Sequence, residues 1–229
     1  MPNIDWENIH TVLLDMDGTL LDLHFDNYFW IEHLPQKIAE KTGQPVEKCR
    51  ADMLAHYARI TGQIEWYCLD YWADYLDMDI MAAKREVEHL ISMRDDTIPF
   101  LDALKASGRE VILVTNAHPG SLSLKVEHTQ LDSHIDQLIS THQFGVTKES
   151  QLLWQKLQEF TGFDANKTLF VDDSLPILGA AKTFGIAHLL AVENPDSQLP
   201  ARQIDDFESV NDYRTLIDDI ARYPIRNPD

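Results

Sequence analysis

Acidic, hydroxyl, amide and lysine side chains stand at or just after the ends of short apolar runs along this chain. They are Asp15, Asp17, Gly18 and Thr19; Thr115 and Asn116; Lys148; and Asp172 and Asp173. Burying a carboxylate costs free energy unless a cation or hydrogen-bond donors offset the charge. A chain that repeats this arrangement at several strand ends therefore predicts a shared site that holds charge.

Parallel strands bring such ends together, because ligands of open α/β sheets bind beyond the carboxyl ends of the strands. Four carboxylates in one crevice repel one another, and a divalent cation removes that repulsion. Mg²⁺ prefers a few carboxylate oxygens, water and the phosphate of a substrate. Lys148 and Thr115 would complete a cradle for a phosphoryl group. The residues therefore predict a magnesium and phosphate site.

Each of these features has a simpler explanation when it is taken alone. Asp-Gly pairs are common in turns, and a threonine followed by asparagine is ordinary at a strand end. Lys148 alone suits the solvated start of a helix, and Asp172 with Asp173 suits a helix N-terminus, where the dipole favours acidic groups. Their occurrence together, in one predicted crevice, favours catalysis.

The elements that would position these residues form an α/β pattern. Buried parallel strands are predicted at Thr11–Met16, Val111–Thr115, Leu138–Thr141, Leu169–Val171 and His188–Val192. Helices are predicted at Pro99–Ala106, Glu149–Phe160, Leu175–Phe184 and Asn211–Arg222. Strands that alternate with helices indicate βαβ units and a Rossmann-like parallel sheet.

A helical insertion separates the first strand from the rest. Helical periodicity runs through Ile31–Lys41, Pro45–Thr61, Ile64–Leu76 and Met81–Met93, and no convincing strand interrupts it. The connection is far longer than a crossover helix requires. We therefore expect a core formed by residues 1–19 and 95–229 and an inserted helical domain formed by residues 20–94, with hinges near 20–23 and 94–97.

The composition limits the kinds of binding partner and the cellular compartment that we expect for this chain. A formal net charge of −19 disfavours nucleic-acid polymers and anionic membranes, although a local pocket can still bind a small anion. The start of the chain resembles no signal peptide, and no apolar window is long enough to span a membrane, so the cytoplasm is expected. Cys49 and Cys68 form no metal-ligand pattern with nearby histidines and are interpreted as reduced thiols, and no histidine cluster suggests zinc.

The ordered set DxDGT, a threonine at a strand end, a lysine and an acidic pair resembles the haloacid dehalogenase-like phosphatases. The resemblance implies that the insertion is a helical cap. It implies that Asp15 attacks phosphorus, that Asp17 is the general acid and base, and that Thr115 and Lys148 neutralise phosphoryl oxygens. Gly18 and Asn116 would help to bind the phosphate.

The same resemblance implies a set of Mg²⁺ ligands. Asp15, the main-chain carbonyl of Asp17 and Asp173 would bind the ion directly, and Asp172 would bind it through water or orient the other ligands. Two departures from the family pattern are Glu149, where many members have proline, and Ile177, where some relatives have a further aspartate.

Segments spread along the whole chain, including LLDMDGTLLDLHFDNYFW, TNAHP and STHQFG, resemble bacterial purine-nucleotide phosphatases that act on GMP and IMP. The resemblance implies a phosphatase of small phosphomonoesters; no partner protein is implied. A sugar-phosphate phosphatase or phosphomutase with the same motifs remains open, as does a non-catalytic phosphate-binding protein.

Two stretches of the insertion could contact a substrate. Phe25, Asp26, Asn27 and Tyr28 follow the first motif closely and could line a cleft. Trp66, Tyr67, Tyr71 and Trp72 could stack on a purine, although packing within the insertion is the favoured interpretation. His118 is interpreted as a loop histidine rather than a general base.

Overall fold

The computed structural model describes residues 2–225, and its centre is a parallel β-sheet of six strands. The strands are β1 (Thr11–Leu14), β2 (Glu110–Thr115), β3 (Gln137–Ser140), β4 (Thr168–Asp172), β5 (His188–Val192) and β6 (Ser209–Val210). Their order across the sheet is β3-β2-β1-β4-β5-β6. Strands β2 and β3 therefore extend the sheet on one side of β1, and the later strands extend it on the other side, so the direction in which strands are added reverses at β1. A reversal of this kind opens a crevice at the carboxyl ends of the central strands.

The register of the central strands aligns the predicted site residues. Leu14 of β1 pairs with Leu113 of β2 on one side and with Val171 of β4 on the other. Asp15 is therefore level with Asp172 of β4 and lies one residue short of the level of Thr115 in β2. All four residues of β1 are buried, as expected for a strand covered on both faces.

The insertion between β1 and the rest of the sheet is helical. Its helices are α1 (His24–Tyr28), α2 (Leu34–Thr42), α3 (Val46–Ile60), α4 (Ile64–Tyr67), α5 (Leu69–Leu76) and α6 (Ile80–Arg85). A π-helical turn at Phe29–His33 joins α1 to α2, and a 3₁₀ turn at Glu88–Leu90 follows α6. The predicted segment Ile64–Leu76 is broken at Cys68, which has an extended backbone.

Five further helices cover the sheet. They are α7 (Thr97–Ala106), α8 (Pro119–Thr129), α9 (Gln151–Thr161), α10 (Leu175–Phe184) and α11 (Ile217–Arg222). The sequence analysis missed α8 and the short strand β6, and the segment predicted at Asn211–Arg222 is a 3₁₀ turn (Tyr213–Leu216) followed by α11. The sequence did not indicate helix α8, because its buried face carries Ser121 and Lys125 beside Leu124. These polar residues interrupt the periodic spacing of apolar residues that is typical of a helix.

Three hydrophobic clusters stabilise these layers. The two faces of the sheet form separate clusters, with Val12 and Leu14 in one and Leu13 in the other. The third cluster lies mostly within the insertion, where Phe29 and Trp72 are fully buried, and it also includes Leu124 of α8. The insertion therefore has a core of its own that also packs against α8.

The two segments that connect the sheet to the insertion are joined to each other by backbone hydrogen bonds. Leu21 forms bridges with both Asp17 and Met93, and the Arg94 amide donates to the Leu20 carbonyl at 3.1 Å. The Arg94 guanidinium forms a buried ion pair with Asp96 at 3.0 Å and lies outside the central cavity. Within residues 2–225, no helix is long and apolar enough to cross a membrane.

Candidate active site

Three carboxylates meet at the carboxyl ends of β1 and β4. Asp15, Asp172 and Asp173 each place a carboxylate oxygen within 4.8 Å of the other two. Asp15 and Asp172 are buried and Asp173 is partly exposed. Like charges at this separation are costly in a low-dielectric interior, so the site needs positive charge.

Lys148 supplies part of that charge from the loop before α9. Its Nζ lies 2.5 Å from Oδ1 of Asp15 and 2.7 Å from Oδ2 of Asp172, and its side chain is 1% exposed. Burial opposes the charge on the ammonium group, but the two carboxylates outweigh burial and raise the pKa of Lys148. The lysine is therefore a fixed cation between two strand ends.

Buried groups hold the backbone of Lys148 in place. Its amide donates to Oδ1 of Asn116 at 2.9 Å, and its carbonyl accepts from Nε1 of Trp154 at 2.9 Å. The same Asn116 oxygen accepts from the Thr141 hydroxyl at 3.0 Å. The side chain of Asn116, for which a phosphate contact is predicted, orients the lysine loop.

The remaining carboxylate, Asp173, has the character of a metal ligand. Within residues 2–225, no side chain or amide donates a hydrogen bond to its carboxylate, whereas Asp172 accepts from both Lys148 and the Ser174 amide. Burial, followed by the charges of Asp172 and Asp15, raises the pKa of Asp173 well above its usual value. An unpaired carboxylate in this position is stabilised by a cation.

The donor set suits Mg²⁺ rather than a softer metal. Asp15 and Asp173 offer hard carboxylate oxygens at the edge of a cavity that water can reach, which is the environment that Mg²⁺ prefers. Asp172 is engaged by Lys148, so its contribution would be to orient the other groups. Burial, opposed by Lys148 and assisted by Asp172, raises the pKa of Asp15 to about 6.

Asp17 belongs to a second charged network that the sequence analysis did not identify. Its Oδ1 lies 2.6 Å from Nζ of Lys125 on α8, and the same Nζ lies 2.5 Å from Asp26 of α1. Asp26 also pairs with Lys84 of α6 at 3.0 Å. The two lysines outweigh burial and lower the pKa of Asp26 to about 2.

This network places a protonatable carboxyl at the cavity. Burial raises the pKa of Asp17 to about 6, an effect that Lys125 opposes and that Asp26 and Asp15 reinforce. A carboxyl that titrates near neutral pH can donate a proton and take one back. One sequence feature could have identified Lys125. It is the polar set His118, Ser121 and Lys125, which has helical spacing and lines the cavity.

The other predicted site residues lie close by. Thr115 is buried at the end of β2 and lines the cavity, with its hydroxyl accepting from the Ala117 amide at 3.0 Å. Gly18 has φ +83°, and a Cβ at this position would lie 2.9 Å from Cγ of Asp173. Its amide donates to the Leu21 carbonyl at 2.8 Å, and the absence of a side chain leaves room for the Asp173 carboxylate.

Glu149 joins the core to the insertion. Its carboxylate accepts from Nδ2 of Asn116 at 3.1 Å and from the Tyr67 hydroxyl at 3.0 Å. The glutamate that departs from the family pattern therefore links the lysine loop to α4. The sequence alone gave no indication of this contact.

One cavity of about 450 Å³ connects both charged networks with an aromatic wall. The wall is formed by Trp30, Tyr57, Trp66 and Tyr67, and the apolar side chains of Ile31 and Leu54 also line the cavity. The planes of Trp30 and Trp66 are inclined by 26°, with their centroids 6.5 Å apart. The cavity is thus charged at the carboxyl ends of the strands, where Asp26 and Lys84 of the insertion add further charge, and apolar along the aromatic wall. Its volume suits a small organic ligand.

The candidate contact residues of the insertion divide between cavity and core. Asp26, Asn27, Trp66 and Tyr67 line the cavity. Trp72 and Phe25 are buried in the insertion core, and Tyr28 and Tyr71 pack against it. Trp66 also packs against the insertion core, so the packing interpretation holds for Trp66, Tyr71 and Trp72.

A parallel sheet with this strand order, an inserted helical segment and acidic strand ends defines a Rossmann-like α/β protein with its site at the carboxyl ends of the central strands. The chain belongs to the haloacid dehalogenase-like hydrolases, a family that matches residues 9–185. The chain is 51% identical over 215 residues to the GMP/IMP nucleotidase YrfG of Escherichia coli K12, covering 94% of this chain and 97% of that protein.

Solved structures share the fold at low sequence identity. A HAD phosphatase from Thermococcus onnurineus superposes with a TM-score of 0.77 at 21% identity, covering 95% of this chain and all of that one. The HAD-hydrolase YfnB from Bacillus subtilis, described as bound to magnesium, superposes with a TM-score of 0.64 at 18% identity, covering 93% and 99% of the two chains.

The two neighbouring aspartates of β4 should respond differently to neutralisation. Asp173→Asn should raise the melting temperature of chelator-treated protein at neutral pH, because a carboxyl with a raised folded pKa destabilises the folded state once pH exceeds its unfolded pKa. Burial also raises the pKa of Asp172, but this carboxylate is the one that accepts from the buried Lys148. Asp172→Asn should therefore give a lower melting temperature than Asp173→Asn, because it weakens that charge-assisted hydrogen bond. Thermal unfolding in EDTA measures both effects; equal shifts in the same direction would contradict these assignments.

Lys125 should set the protonation of Asp17. Lys125→Met removes the cation that lowers the pKa of Asp17, so the alkaline limb of the kcat–pH profile should move to higher pH. Lys84→Met is the matched control, because Lys84 is equally buried and pairs with Asp26 but not with Asp17. Identical pH profiles for the two variants would exclude a special relation between Lys125 and Asp17.

Proposed function

We propose that this chain is a Mg²⁺-dependent phosphatase that hydrolyses small phosphomonoesters through an aspartyl-phosphate on Asp15. The observation that carries the proposal is the arrangement of Asp15, Lys148 and Asp173 at the base of one cavity, with Asp17 at its side. Membership of the hydrolase family agrees with this chemistry.

Each chemical step uses a group of known position. Asp15 attacks phosphorus, and the bond from phosphorus to the leaving oxygen breaks while Asp17 gives that oxygen a proton. Asp17 then takes a proton from a water molecule, which attacks phosphorus and breaks the bond to Asp15. Inorganic phosphate leaves, and both aspartates return to their initial states.

Charge on the phosphoryl group is the main electrostatic demand of this reaction. Lys148 and Thr115 line the cavity beside Asp15 and would contact the equatorial oxygens. Mg²⁺, held by Asp15 and Asp173 and by the Asp17 carbonyl, would supply further positive charge when bound. Gly18 leaves room for Asp173, because any side chain there would collide with that carboxylate.

We propose purine 5′-nucleotides, GMP and IMP in particular, as substrates. The relative that is 51% identical over nearly the whole chain is named a GMP/IMP nucleotidase. The aromatic wall of the cavity supports the same assignment, because a purine stacks favourably on tryptophan and tyrosine rings. A sugar phosphate would leave this wall without a partner, so the cavity favours a nucleotide over the sugar-phosphate alternatives.

We also propose that residues 20–94 act as a cap over a catalytic core formed by residues 1–19 and 95–229. Support comes from the separate hydrophobic cluster of the insertion and from the pairing of its two connections. Closure would exclude bulk water from the aspartyl-phosphate. We propose the cytoplasm as its compartment, where the free cysteines Cys49 and Cys68 remain reduced.

Replacement of the proposed nucleophile gives a direct test. Asp15→Asn should abolish phosphate release, because an amide cannot form the acyl-phosphate, and should leave the fold intact because the two side chains have the same shape. Phosphate release and far-ultraviolet circular dichroism measure the two effects. Asp74→Asn, in the exposed part of α5, is the control. Substantial turnover by the Asp15 variant would rule out covalent catalysis by this residue.

The aromatic wall should matter only for substrates that carry a base. Trp66→Leu should lower kcat/KM for IMP by at least about fivefold, since base–aromatic stacking contributes about 1–3 kcal/mol, and should leave ribose 5-phosphate hydrolysis nearly unchanged. Tyr75→Leu is the matched control, because Tyr75 is an exposed aromatic residue of the insertion that does not line the cavity. Equal losses for both substrates would contradict a stacking role.

A further inference from the structure

A second cluster of metal-binding side chains lies across the junction of the insertion and the core. Cys68, His118 and His142 each place a ligand atom within 4.8 Å of the other two. The sequence analysis predicted no such group, because these residues lie far apart along the chain. Cys68 lies between α4 and α5, His118 precedes α8, and His142 lies in the turn after β3.

His142 presents an imidazole nitrogen that has no partner. Within residues 2–225, its buried Nε2 makes no hydrogen bond. The His142 ring lies edge-on to the His118 ring, with the ring centroids 5.2 Å apart. Burial, assisted by His118, lowers the pKa of His142. A neutral, oriented imidazole with a free lone pair is the form that binds metals, and leaving such a nitrogen buried without a partner is costly.

His118 is held in a complementary way. Its Nδ1 accepts from the Gly120 amide at 3.1 Å, and its Nε2 lies 3.4 Å from a carboxylate oxygen of Asp70. Both contacts favour the tautomer with the proton on Nε2, so a metal would bind Nδ1 and replace its hydrogen bond from the Gly120 amide. Metal-bound histidines commonly donate their other ring N–H to a carboxylate in this manner.

Cys68 completes the set from the side of the insertion. Its extended backbone interrupts the helical segment at this residue, and its thiol is partly exposed. One thiolate and two imidazoles form a borderline-soft donor set, which suits Zn²⁺ and similar divalent transition metals and differs from the hard oxygens around Asp173. Binding would displace the thiol proton to solvent.

We propose that Cys68, His118 and His142 form a zinc-type site that fastens the insertion to the core. The fourth position is left to water, as in sites with three protein ligands, and Asp70 accepts the Nε2–H of His118. Because His118 and Leu69, the neighbour of Cys68, line the cavity, a metal here holds the insertion closed over it. Slower turnover in the occupied state is the consequence that rests on the proposed phosphatase function.

Cobalt(II) tests the site without any reference to activity. Reduced, metal-free protein is titrated with Co²⁺ in excess Mg²⁺, which occupies the carboxylate site, and the thiolate-to-cobalt charge-transfer band is recorded. The wild type should bind one Co²⁺ with this band. Cys68→Ser should lose the band, His142→Gln should weaken binding at least about tenfold, and Cys49→Ser, at the other free cysteine, should behave as wild type.

Absence of the band from the wild type, or its loss in Cys49→Ser rather than in Cys68→Ser, overturns the site. The link to turnover is tested by adding Zn²⁺ to phosphate-release assays in excess Mg²⁺, each variant being normalised to its own zinc-free rate. Half-inhibition should require at least about tenfold more Zn²⁺ in Cys68→Ser than in wild type. Equal inhibition of the two proteins would place the inhibitory zinc at the carboxylates and overturn the fastening role.

The cobalt band reports metal binding alone, so it can be recorded whether or not the protein hydrolyses phosphomonoesters. Failure of the proposed function and failure of the metal site are therefore distinguishable.

Discussion

The structure depends on the ion pairs of one buried lysine. Lys148 lies between Asp15 and Asp172, which come from neighbouring strands, and it offsets part of the repulsion that their burial creates. Without this cation the carboxyl ends of β1 and β4 would bring like charges together in a low-dielectric interior. Asn116 and Trp154 hold the lysine backbone, so residues that never touch a substrate still determine the geometry of the site.

A second buried lysine extends this principle to the insertion. Lys125 contacts Asp17 of the core and Asp26 of α1, so the group proposed to move protons is tied to the segment proposed to close over the cavity. Tyr67 and Glu149 form another such link on the far side of Lys148. The position of the insertion and the electrostatics of the core are therefore coupled through contacts that cross between them.

The sequence was sufficient for the fold class, for five of the six strands and for the convergence of Asp15, Lys148 and the Asp172–Asp173 pair. Strand ends in a parallel sheet meet in a predictable place, which is why those residues could be found. The sequence did not predict α8, whose buried face is partly polar, or the pairing of Lys125 with Asp17. It also missed the meeting of Cys68 with His118 and His142, because that contact depends on how the insertion docks on the core.

The central claim is that one cavity joins a phosphate-cleaving centre to a purine-binding wall. The most direct measurement is inorganic phosphate release by the purified protein with Mg²⁺, at equal concentrations of GMP, IMP, ribose 5-phosphate and hexose phosphates. We expect GMP and IMP to be hydrolysed with the highest kcat/KM. Release from the sugar phosphates alone would contradict the purine assignment, and release from none of these compounds would contradict the claim as a whole.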